Sequence, residues 1–153
     1  MLARLQRRLI LLLVAAALGA FAGLAAAGRP GLGLALALLL LFGFTLVLAV
    51  EFALLAWVHG EDPTPRAGPA ELLRAWWGEC LASARVFGWH QPFRAQAWPD
   101  VPGRPGVRGI VFVHGYVCNR AVWSPWLARG AARGTPCIAV DLEPVFSPLD
   151  AYV

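Results

Sequence analysis

The chain has 153 residues, of which 59% are hydrophobic and only 14% charged, where a soluble domain carries about a quarter charged residues. Its net charge of +4 comes from arginine alone, with no lysine; the arginines are scattered singly, which argues for GC-rich codon usage and against the clustered basic face that nucleic-acid binding needs. Three cysteines, Cys80, Cys118 and Cys137, form no C-x-x-C pair, so neither a disulfide framework nor a zinc site is expected, and with no Gly-rich phosphate loop or metal-ligand cluster no cofactor is called for.

The apolar excess is concentrated. Between Leu9 and Val58 the only ionisable side chains are Arg29 and Glu51. A first span is predicted over 9–27, about nineteen residues, nearly enough to cross a 30 Å hydrocarbon core. A second is predicted over 32–57, long enough to cross with some tilt. Arg29 and Pro30, flanked by Gly28 and Gly31, supply turn chemistry between them, so the spans form a tight hairpin. The basic start at Arg4, Arg7 and Arg8 and the small residues at Ala25–Ala27 also suit a cleaved signal peptide, but the apolar run is longer than such a peptide needs and a second span follows at once. Five arginines (Arg4, Arg7, Arg8, Arg66 and Arg74) flank the outer ends of the hairpin and one, Arg29, lies in its turn. The positive-inside rule therefore puts both termini in the cytoplasm. Glu51 is the acid inside a span; such a carboxylate is a functional candidate by default, although two turns from Trp57 it can also snorkel to the interface.

A linker is predicted over 59–68, broken by Pro63 and Pro65, and an amphipathic juxtamembrane helix over 69–88. Leu72, Leu73, Trp76, Trp77, Cys80, Leu81, Ala84 and Phe87 recur at spacings of three and four, with Pro69 at the first turn and Gly88 as the stop. Trp76 and Trp77 suit the headgroup level, so the helix either lies on the bilayer or packs on the domain that follows. The proline-rich stretch after His90 has room for one short edge strand over 93–98.

Residues 110–113 read as a short buried parallel strand ending in His114-Gly115. Ser124-Pro125 reads as the N-cap and first turn of a helix over 126–133 stopped by Gly134, and 137–143 as a second apolar strand. Strand, helix and strand make a βαβ unit whose crossover should be right-handed. With two such strands the sheet should keep an unpaired edge and an uncovered face.

The stretch from Val111 to Pro144, VFVHGYVCNRAVWSPWLARGAARGTPCIAVDLEP, resembles the early core of an α/β-hydrolase of the bacterial lipase and esterase type. The hairpin and the Trp-Trp helix loosely resemble membrane-anchored members of that group. The resemblance implies an oxyanion hole in which Tyr116 offers its backbone N–H, with His114 and Gly115 supporting the loop. The expected fold is thus a two-helix transmembrane hairpin followed by an incomplete α/β-hydrolase-like domain over 89–153. The family's Ser-acid-His triad is missing. None of Ser83, Ser124 and Ser147 lies in a G-x-S-x-G elbow, Asp141 and Glu143 precede the place where the elbow would come, and His59 and His90 precede the core. The expectation is a truncated, membrane-anchored serine-hydrolase fragment, multi-pass in a bacterial inner membrane and inactive alone, whose intact relative would take an ester or lipid substrate. The alternatives are a small non-enzymatic membrane protein that binds a partner or a lipid surface and, last, a permease subunit, for which two spans are too few.

Overall fold

A computed structural model describes residues 1–58, 63–144 and 147–148. The fold is mostly helical, with one small parallel sheet, and divides into two compact units, Ile10–Ala84 and Met1–Leu9 with Arg85–Val153.

In the unit Ile10–Ala84, α1 (Leu2–Ala26, whose first turns belong to the other unit) is long and apolar enough to cross a membrane, and only 6% of its most apolar window is buried. It begins seven residues ahead of the expected span because arginine and glutamine at Arg4, Gln6, Arg7 and Arg8 are good helix formers. Its end is a Schellman cap. Gly28 takes φ +75°, its N–H donates to the Ala25 carbonyl at 3.0 Å, and the Arg29 N–H donates to the Leu24 carbonyl at 2.8 Å. Pro30 then opens α2 (Pro30–Phe42) at a position where a missing N–H costs nothing. The turn over 28–30 thus has the local chemistry expected of it. At Gly33 the helices come so close that an added Cβ would lie 3.0 Å from the Phe21 carbonyl oxygen.

The second apolar run is not one straight helix. It is α2 and α3 (Phe44–Val58), bent by 61° at Gly43, and it qualifies as a second span only if the bent pair counts as one. Two residues account for the bend. A Cβ on Gly43 would collide with the Leu39 carbonyl, so this backbone geometry is open to glycine alone. The Leu46 N–H turns to the Gly43 carbonyl at 3.0 Å, and the Thr45 hydroxyl donates to the Phe42 carbonyl at 2.8 Å in its place. Glu51 is exposed on α3.

Helix α4 (Pro69–Arg85) starts on half of a capping box, in which the Glu71 carboxylate accepts the Gly68 N–H at 2.7 Å. The apolar stripe read from the sequence splits lengthwise. Leu72, Trp76 and Cys80 are turned inward, while Leu73, Trp77 and Leu81 stay exposed. The Trp76 indole donates to the Thr45 carbonyl at 2.9 Å. Helix α4 therefore makes contact with α3, a partner that neither a bilayer surface nor the following domain would have supplied. Gly88 does not stop the helix. The chain continues through a widened π turn (Val86–His90) into one more turn, α5 (Gln91–Phe93), and leaves helix at Arg94, whose N–H donates to the His90 carbonyl.

In the other unit, β1 (Ile110–Phe112) and β2 (Cys137–Ala139) pair in parallel, Ile110 with Cys137 and Phe112 with Ala139. Both are shorter than expected. Past Ala139 the backbone bonds to β1 only once more, Val140 N–H to Phe112 at 3.1 Å, before Asp141 is taken up by side-chain bonds. Between the strands lies α6 (Ser124–Ala132), preceded by a 3₁₀ turn (Arg120–Trp123). The capping side chain is accordingly Asn119, which accepts the Ala121 N–H at 3.0 Å, and Ser124 is already helical. Leu127 of α6 packs on Cys137 and Ala139, with Phe112 and Trp123 stacked beside them at 5.2 Å. Gly130 lies against the Cys137 sulfur, in space that a Cβ would fill. The opposite sheet face, Val111 and Ile138, is exposed, so these strands are not buried on both sides.

No strand forms over 93–98, where helix and turns carry the chain instead. The outer edge of β2 is nevertheless not bare. Val101 and Cys137 exchange both backbone hydrogen bonds, at 2.8 and 2.9 Å, and the next edge donor, the Ala139 N–H, is taken by the Asp100 carboxylate at 3.0 Å. A two-residue patch thus does what an edge strand was expected to do.

Candidate functional site

Two parallel strands that end side by side bring their carboxyl-end loops together, which is where open α/β sheets place ligands. His114 follows β1 and is buried. Its Nε2 accepts the Leu142 N–H at 3.0 Å, so the ring proton is on Nδ1, which donates to the Gly115 carbonyl at 2.9 Å. The imidazole therefore ties the loop after β1 to the chain after β2. Asp141 Oδ1 stands 3.9 Å from Nε2, beyond hydrogen-bond reach. Its carboxylate is engaged elsewhere, with the Arg120 N–H at 2.7 Å and the Gln96 amide at 3.3 Å. His114 is thus a brace between the two loops, with no proton placed for transfer between it and Asp141.

The Gly115 carbonyl also accepts the Cys118 N–H at 3.3 Å, closing a turn in which Val117 has φ +57°. That is the third position of a type II turn, normally held by glycine or asparagine. A β-branched residue there stores about 1–2 kcal/mol of strain. The turn fixes the peptide groups on either side of Tyr116, whose side chain is 75% exposed.

Behind the turn lies a polar layer that the sequence reading missed. Gln91 is fully buried; its side-chain oxygen accepts the Asn119 N–H at 3.1 Å and the Gln6 amide at 3.2 Å, and its backbone carbonyl accepts the Asn119 side-chain amide at 2.9 Å. Arg120, also buried, donates to Asp100 at 2.6 Å and to the Trp98 carbonyl at 3.0 Å. The local signal that could have found Asn119 is an asparagine standing ahead of a helical turn. The pairing of Arg120 with Asp100, twenty positions away, left no local signal.

The other sequence-predicted residues are dispersed. Ser83 lies half-buried on α4, Ser147 donates its backbone N–H to Pro144, and His59 falls outside the described residues, as do 59–62 of the linker. Glu143 accepts the Met1 ammonium and, at 2.9 Å, the Leu2 N–H; these bonds, the ammonium's first, hold its carboxyl below the ordinary carboxylate range. Ser124 and His90 line one pocket, but with Arg85 and Arg94 rather than with an acid. A nucleophile–base pair needs a carboxylate to orient and stabilise the imidazolium. Burial and the two guanidiniums instead push the His90 imidazole below its ordinary value. Among the described residues no group of three His, Cys, Asp or Glu is placed to hold a metal ion, and Cys80, Cys118 and Cys137 are free thiols. Compared with protein families, curated proteins and solved structures, the chain matches none of them.

Proposed function

We propose that α1 and the bent α2–α3 pair hold the chain in a bilayer with both ends on the cytoplasmic side, and that the residues around β1 and β2 are the opening βαβ step of an α/β-hydrolase-like domain acting on esters or lipids. The reading is supported above all by the turn at 115–118. It follows a parallel strand, is braced by a buried histidine in one tautomer, and stores strain at Val117 to keep a peptide group in one orientation. Donors fixed on rigid backbone at a strand end are what a tetrahedral oxyanion requires. Exposure of nearly the whole apolar surface of α1 supports the bilayer, since soluble monomers seldom leave so continuous an apolar face in water.

Acyl transfer also needs a nucleophile with a base, and none is arranged among the described residues. The purified chain in detergent is therefore expected to turn over p-nitrophenyl butyrate no faster than buffer does, and turnover abolished by Ser124→Ala would overturn that expectation. The family reading is tested in the gene, by translating the bases after codon 153 in every frame. A G-x-S-x-G segment followed by an acid and a histidine supports it, and its absence sinks it in favour of a small non-enzymatic membrane protein. Orientation is tested with a cysteine at exposed position 104 on a background lacking Cys80, Cys118 and Cys137. Modification by an impermeant maleimide in intact cells would place that position outside.

A further inference from the structure

The pocket that holds Ser124 and His90 has no role in the oxyanion reading, and its chemistry points elsewhere. It encloses about 420 Å³, with Trp89 and Trp98 on its walls. Arg85 reaches it from the end of α4, Arg94 from the end of α5, and His90 from the π turn between them. Both arginine side chains are exposed, and among the described residues neither has a hydrogen bond or an acidic partner. Like charges gathered around one cavity repel where solvent screens them only in part, and an anion bound among them relieves that repulsion. On the far wall lies the amino end of the nine-residue α6, whose dipole adds to the same positive potential. A second observation is independent of charge. Ser124 is 95% buried, lines the pocket and has no hydrogen-bond partner for its hydroxyl among the described residues. Its oxygen is open to the pocket and so can donate to a ligand there, and His90, on the same wall, has a buried Nδ1 with no partner.

We infer that this pocket is a binding site for a phosphate-bearing anion, held by the guanidiniums of Arg85 and Arg94 and by the Ser124 hydroxyl. Guanidinium is the side-chain group whose planar fork matches phosphate oxygens. The tryptophan walls suit the organic part of a phosphate ester. The same chemistry belongs to a soluble phosphate ester and to an anionic phospholipid headgroup. The site does not depend on the hydrolase reading, since it uses neither the turn at 115–118 nor a nucleophile.

The test is calorimetric titration of the full chain, in micelles of an uncharged maltoside detergent, with inorganic phosphate and then with dihexanoyl phosphatidic acid. Phosphate is expected to bind at millimolar concentration, and the Arg85→Gln/Arg94→Gln variant to bind it at least about tenfold more weakly. Both residues are exposed, so the variant should keep the wild-type circular dichroism. Arg85→Lys/Arg94→Lys retains the charge and should recover part of the loss. A bound anion also favours the imidazolium, so the His90 ring resonances, assigned with His90→Gln, should titrate at higher pH with phosphate than without. Phosphatidic acid binding more than about tenfold tighter than phosphate assigns the site to a lipid headgroup, and equal affinities assign it to a soluble ester. Equal phosphate binding by wild type and the Gln variant, or no binding by wild type, overturns the proposal.

Discussion

Asp100 is the residue whose loss should do most damage for its size. One oxygen of its carboxylate accepts both Arg120 Nη2 at 2.6 Å and the Ala139 N–H at 3.0 Å. It thereby neutralises a guanidinium that is 10% exposed and closes the outer edge of β2. Removing one partner of a fully buried pair costs about 3–5 kcal/mol. Here Asp100 is 37% exposed, so water reaches the pair, and the loss is discounted to about 1–2 kcal/mol. The edge N–H adds about 1 kcal/mol. Asp100→Ala should therefore destabilise the sheet locally by about 2–3 kcal/mol, a large part of what a small domain possesses. Amide hydrogen exchange reads this at the right place. At 1.36 kcal/mol per tenfold, the Ala139 and Cys137 amides should exchange about 30- to 150-fold faster, with α2 and α3 unaffected. Arg120→Met alone should cost a similar amount, and the double variant no more than either single one, because the charge left stranded by one change is removed by the other. An Ala139 amide that exchanges within threefold of wild type in Asp100→Ala would refute the clamp.

Relief of turn strain should be visible as a gain. Val117→Gly is expected to stabilise by about 0.5–1 kcal/mol, the strain released less the entropy that glycine brings, whereas Val117→Ile should not; equal melting temperatures for the two variants would remove Val117 from the argument. Gly43→Ala should open the bend, since its Cβ cannot coexist with the Leu39 carbonyl. Spin labels at the exposed positions 34 and 55 should then move about 4 Å apart, from the helical rise and the 61° angle, and an unchanged distance would place the cause of the bend elsewhere. His90 is harder to protonate folded than unfolded, because of burial and because Arg85 and Arg94 are the charges facing it. Its contribution to stability is therefore fully present above the unfolded value of 6.5 and lost as the pH falls through the lower folded value. His90→Gln should flatten that part of a stability profile; a slope left unchanged between pH 7 and 5 would show that other groups set it.

The features legible in the sequence are those whose causes lie within a few residues. Gly28 and Pro30 specify one helix end and the next helix start wherever they stand, and runs such as Ile110–Phe112 and Cys137–Ala139 have few alternatives to a strand beside a short helix. Gly43 and Thr45 were equally readable, yet a bend was not expected, because glycine and threonine are common inside apolar helices and bend them only when the backbone has a reason to leave its ladder. The reason here is shared with a distant residue, since the Thr45 carbonyl at the bend accepts the indole of Trp76. Three-and-four spacing marked Trp76 and Trp77 alike, because periodicity reports that a helix has an apolar side and is silent on which half of that side meets protein.

The same distinction runs through the two candidate sites. The turn at 115–118 was approached from sequence because a strand ending in His-Gly is a local pattern, although the tautomer of His114 depends on Leu142, twenty-eight residues on. The basic pocket has no such pattern. Arg85, His90 and Arg94 read as parts of a helix, a stop and a proline-rich loop so long as Gly88 is taken to end the helix. Once the π turn carries the helix through Gly88, the three side chains fall at intervals of five and four on one continuous helical path and converge on Ser124, which then lines their pocket instead of capping α6. One misplaced helix end was therefore enough to hide the site, and the charge pattern that had seemed scattered along the chain is, at this point, concentrated in space.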